Sequence, residues 1–83
     1  MAERFVLYEP AREIYHCGGF LDADWRRAYL YHSAQFARQG LMASLVDVGD
    51  KKAWVIQRVD ADWDGFGDLV KLTVQEEIQP FAK

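Results

Sequence analysis

The chain has 83 residues, enough for one domain and one core, and 51% of them are hydrophobic and 14% aromatic, a composition that disordered chains lack. Thirteen Asp and Glu against ten Lys and Arg leave a formal charge of -3, the wrong sign for a domain that must neutralise nucleic-acid phosphates. A single Cys excludes an internal disulfide, the start lacks the apolar run of a signal peptide, and no stretch nears the roughly 18 apolar residues of a membrane span, so a cytoplasmic protein is expected.

Residues 5–8, FVLY, read as a strand that ends at Glu9 and Pro10, because proline stops ladder pairing. Residues 14–17 form a second short apolar run, stopped by Gly18 and Gly19, so the two should pair as a hairpin. A loop over 21–26 follows. AYLY at 28–31 reads as a third strand. Ser33 reads as the cap of a short helix in which Ala34, Ala37 and Leu41 share a face and Gly40 is the left-handed stop. Alternation over 44–48 predicts a fourth strand, ended by a turn at Gly49 and Asp50. Residues 53–59 predict a central fifth strand, with Trp54 and Ile56 on one face and Val55 and Val59 on the other. Val70, Leu72 and Val74 alternate with Lys71, Thr73 and Gln75, which favours a last strand over a helix starting at Asp68. The tail 79–83 is expected to be ordered only if Phe81 docks. The expected architecture is a single α+β domain over 1–83: an antiparallel sheet of five to six strands with one short helix packed on one face.

The string Asp-Ala-Asp-Trp occurs at 22–25 and again at 60–63, and reads as two similar turns, since the flanks differ and no repeat unit of about 20 residues surrounds it. In DADWDGFGD, Asp60, Asp62, Asp64 and Gly65 match the first half of a calcium loop and Asp68 holds its ninth position. The twelfth is Lys71, an ammonium where such a loop places a bidentate carboxylate, so 60–68 reads as a solvated acidic hairpin loop and no metal is expected. His16, Cys17 and His32 lack the count and spacing of a zinc site. Cys17 could take His32 as a base, since strand alternation turns His16 away, but no cysteine-protease signature surrounds it. Neither Gly18-Gly19 nor Gly65-Phe66-Gly67 has the lysine and spacing of a phosphate cradle. Arg26 with Arg27 and Lys51 with Lys52 lie near aromatics, but the basic and aromatic run of an RNA-binding sheet is missing, so they read as turn charges. The expectation is a non-enzymatic protein with no catalytic residue, no cofactor and no nucleic-acid partner.

The first half, from FVLY through a strand ending in GGF to DADWRRAYLYHSAQFARQG, resembles small phage and prophage proteins. In these a Gly-Gly-aromatic turn, an acidic-Trp turn, a short strand and a Ser-capped helix precede further strands. The resemblance rests on Gly18, Gly19, Phe20, Trp25, Ala28, Ser33 and Ala37 and covers residues 5–48. Some proteins of this size and composition are anti-CRISPRs, acidic inhibitors that mask nucleic-acid-binding surfaces, and the resemblance implies an inhibitor of that kind. The charges point separately to a protein partner with a basic patch. Asp22, Asp24, Asp60, Asp62, Asp64 and Asp68 place six of thirteen acids in two loops, beside Trp25, Trp63 and Phe66. The alternative is an assembly protein, a homo-oligomer that pairs exposed strand edges.

Overall fold

The computed structural model of the chain describes residues 2–81. Among them, five strands form one antiparallel sheet: β1 (Ala2–Glu9), β2 (Ile14–His16), β3 (Leu21–Asp22), β4 (Val55–Trp63) and β5 (Leu69–Ile78), in the spatial order β3-β2-β1-β4-β5. One α-helix, α1 (Ala34–Met42), falls between β3 and β4 in the chain, with 3-10 turns at Trp25–Arg27 and Lys51–Ala53. The α+β class and the antiparallel sheet follow directly. No helix among the described residues is long and apolar enough to cross a membrane.

β4 pairs with β1 on one side and β5 on the other, and Val55, Ile56 and Val59 are all buried because this sheet is covered on both faces here. Leu7 and Ile56 are cross-strand partners and therefore share a face. With Trp54, Val48 and the helical Ala37 and Leu41 they make the larger buried cluster. On the opposite face Val6 and Val59 meet Ala28, flanked by Tyr15, Leu30 and Leu72. That second cluster exists because the Trp25–Arg27 turn contacts both β2 and β5, strands separated by β1 and β4, and so crosses the sheet. Each aliphatic or aromatic side chain buried this way contributes about 1.5–3 kcal/mol.

Segment 28–31 is not a strand. Tyr31 alone bridges β1, exchanging both backbone hydrogen bonds with Phe5 at 2.8 Å, in ladder space that the three-residue β2 is too short to fill. Residues 44–48 form a loop instead of a fourth strand. There the Ser44 hydroxyl accepts from the Val46 N–H and donates to the Val46 carbonyl, both at 3.1 Å, and Leu45 points wholly into solvent. The expected loop at 21–26 contains β3, two residues paired on Tyr15 and His16. Ser33 does cap α1, its Oγ accepting from the Phe36 N–H at 3.1 Å, but the helix runs through Gly40 to Met42. A Cβ at Gly40 would lie 2.3 Å from Tyr31 Oη, so this glycine serves close packing and not termination. Phe81 packs against the larger cluster beneath the Arg38 guanidinium, and Arg38 Nε donates to the Pro80 carbonyl at 2.9 Å. Ala82 and Lys83, the end of the expected tail, lie outside the described residues.

Candidate functional site: the β4–β5 hairpin

The two Asp-Ala-Asp-Trp strings adopt different structures, which corrects their reading as similar turns. At 22–25, Asp22 Oδ1 accepts from the Asp24 N–H at 2.8 Å and Asp24 Oδ1 accepts from the Arg26 N–H at 3.0 Å, winding the chain into the 3-10 turn. Arg26 grips both oxygens of Asp24, at 3.1 and 3.2 Å, and Arg27 reaches Asp22 at 3.6 Å. Hydrogen bonding from Arg26 holds the Asp24 carboxyl below its usual range. Two acids and two arginines cancel, so Asp22 and Asp24 present no net charge, and Trp25 between them is half-buried. The neutralising pair was visible in the sequence, since DADWRR places each arginine within a few residues of its aspartate.

At 60–63 the same string lies in β4, so Asp60 and Asp62 are strand residues and the acidic loop proper begins only at Asp64. Asp60 faces Glu3 and Thr73, and Asp62 faces Lys71. Trp63 turns to the other face, where the Arg4 guanidinium sits 5.6 Å from its ring centre. The connection is five residues, Asp64 to Asp68. Asp64 organises it: its N–H donates to the Asp68 carbonyl at 2.9 Å, and its Oδ1 accepts from the N–H groups of Phe66 at 2.8 Å and Asp68 at 3.0 Å. Gly67 donates to the Asp64 carbonyl at 3.3 Å and takes φ +86°, the left-handed geometry of a bulged hairpin turn.

This closure leaves Phe66 at the tip, 93% exposed, on a turn fixed by four hydrogen bonds. Within residues 60–71, four aspartates against Lys71 leave three negative charges, as many as the whole chain carries. The hairpin therefore brings together Asp60, Asp62, Trp63, Asp64, Phe66 and Asp68, while Asp22, Asp24 and Trp25 stand in a separate, charge-balanced turn. Calcium-loop geometry is not reproduced, because an extended backbone sets Asp60 and Asp62 roughly 7 Å apart and Asp64 already accepts two backbone N–H groups. Among the described residues no group of three or more His, Cys, Asp or Glu side chains gathers as metal ligands.

The sequence reading missed one polar pair that imitates a catalytic dyad: His16 Nε2 lies 2.7 Å from Ser44 Oγ. The imidazole is 2% exposed, and burial lowers its pKa. Its Nδ1 accepts from the Gly18 N–H at 3.2 Å, so the ring proton must sit on Nε2 and be donated to Ser44. That tautomer cannot take a proton from the serine, and Ser44 already donates its own to the Val46 carbonyl. The pair ties β2 to the 44–48 loop. Beside it, burial pushes the Cys17 thiol up, away from the reactive thiolate.

No protein-family model matches the chain, and no curated protein or solved structure is significantly similar to it.

Proposed function

We propose that this is a non-enzymatic binding protein that docks its β4–β5 hairpin on a basic surface of a protein partner and masks it, as the phage inhibitors resembled by its first half do. The observation carrying this reading is Phe66, a bare phenyl ring on a locked turn within a segment of three net negative charges. A rigid turn loses little conformational freedom on docking, and a buried aromatic anchor is the residue type that dominates interface energies. The surrounding carboxylates would steer the approach to a cationic patch. In this reading α1 backs one face of the sheet and leaves the hairpin end open.

The experiment is binding kinetics with wild-type protein, Phe66→Ala and Asp68→Ser against the partner recovered from host extract. Phe66→Ala should raise the dissociation rate by tenfold or more, while Asp68→Ser should slow association and flatten its salt dependence. Wild-type kinetics for a folded Phe66→Ala overturns the reading. The outer edge of β5, unpaired in the monomer from Leu69 to Ile78, favours self-association as a second reading. Against it, the ladder with β4 skips Val70 and Gln75, and such bulges bend an edge away from flat pairing.

A further inference from the structure

The chain also carries a receptor suited to its own hairpin. At the end of the molecule where β4 begins, Met42, Phe81 and residues 49–52 enclose an open hollow of about 460 Å³, a size typical of ligand pockets. Met42 and Phe81 give it apolar walls. Lys51 and Lys52 rim it, with Lys51 Nζ fixed by a 3.2 Å hydrogen bond to the Met42 carbonyl at the end of α1, and the Arg38 guanidinium lies over the Phe81 ring. One acid, Asp50, also lines it, its carboxylate accepting from the Lys52 N–H at 3.0 Å, and Asp47 nearby accepts from the Gly49 N–H at 3.0 Å. An aromatic ring flanked by carboxylates is the complement of an apolar hollow rimmed by two lysines. The nine residues of β4, a run of roughly 27 Å, separate the hollow from Phe66, so one molecule cannot dock its tip into its own hollow.

We propose that the hairpin's partner includes a second copy of this chain: Phe66 of one molecule enters the hollow between Met42 and Phe81 of the next, with Asp64 and Asp68 against Lys51 and Lys52. This rests on the reading of the hairpin as the docking element. Knob and hole are different surfaces at opposite ends of a molecule 37 Å long, so the contact is head-to-tail and leaves each added copy with a free end. One hairpin tip covers less than the roughly 1,200 Å² of a standard interface, which places the association in the weak, concentration-dependent range.

Sedimentation equilibrium from about 10 μM to 1 mM, a range suited to weak interfaces, is the test. The wild type at low salt should rise in average mass above its 9.6 kDa without levelling at twice that value, and fall back at high salt. Phe66→Ala and Lys52→Glu should each remain monomeric, both positions being exposed and outside the core. An equimolar mixture of the two should form dimers and nothing larger, because one retains only a hole and the other only a knob. Asp68→Lys mixed with Lys52→Glu should likewise associate more than either alone. A monomeric wild type across the range, or growth unaffected by Phe66→Ala, overturns the proposal. If self-association is missing but Phe66→Ala still releases a foreign partner, the self-docking falls and the hairpin reading stands. If Phe66→Ala alters neither, both fall.

Discussion

At Gly40 the helix forgoes a methyl group so that Tyr31 can lie against its backbone. Alanine there would gain about 1 kcal/mol of helix propensity, yet its Cβ would sit 2.7 Å from Tyr31 Cζ, on a ring wedged between α1 and Tyr29. Gly40→Ala should therefore destabilise by about 1–3 kcal/mol in denaturant melts, and in a Tyr31→Ala background the same change should be neutral or stabilising. A glycine nine residues from a tyrosine reads locally as a helix stop, since nothing in the sequence announces that the two will meet. Trp54 and Ile56 were legible as core because their alternation inside a dense apolar run depends on no distant contact. His16 adds a pH signature. The fold holds its imidazole neutral, with a pKa below the ordinary 6.5, so its contribution is complete above that value and is lost as pH falls from 6.5 toward the lowered pKa. Stability from urea melts should thus decline as pH falls below 6.5, and His16→Gln should remove most of that slope. Glu9, held below 4.5 by Arg12, contributes a separate loss only at still lower pH.

Among the elements, the β4–β5 hairpin depends most on one side chain. Asp64→Ala deletes the acceptor of two backbone N–H groups and should cost about 1–2 kcal/mol while leaving the Phe66 ring in place but less fixed. The same geometry predicts that millimolar calcium leaves the melting temperature unchanged; a rise of several degrees that Asp62→Ala abolishes would contradict it. The duplicated Asp-Ala-Asp-Trp shows where a sequence stops being informative about elements. Followed by Arg-Arg it closes into a turn, whereas after the buried run of β4 it stays extended, because pairing with β1 and β5 outweighs the turn preference of Asp. The alternation at 44–48 misleads for the opposite reason: Val46 and Val48 are spaced as in a strand, but no neighbouring strand is present to pair with, and Ser44 satisfies the local backbone instead.

For the molecule as a whole, the two buried clusters lie on opposite faces of the same sheet and both depend on β1 and β4. Neither face can be lost alone, so tryptophan fluorescence and far-UV circular dichroism should report one coincident transition. Trp54 lies in the buried cluster that joins Leu7 and Ile56 of the sheet to Ala37 and Leu41 of the helix. Its replacement by Ala should cost about 3–5 kcal/mol, a large part of the roughly 5–15 kcal/mol that holds a domain together, and lower the melting temperature by at least about 12 °C. A shift of a few degrees would show that the helix face contributes less than its burial suggests. The α+β class was legible at this scale from strand spacing and one capped helix; the crossing of the sheet by the Trp25–Arg27 turn was not, since it rests on contacts with β2 and β5 that no local pattern announces.

The Val48 carbonyl accepts from Trp54 Nε1 at 2.9 Å and from Arg12 Nη2 at 3.2 Å, joining the core to the turn after β1. The indole proton of Trp54 is thus enclosed by two segments distant in sequence, while Trp25 and Trp63 are partly exposed. In deuterated solvent the indole resonances of Trp25 and Trp63 should fade first, and that of Trp54 should persist at a rate set by global unfolding. One proton of the native chain, read without label or mutation, then measures the stability of the entire fold.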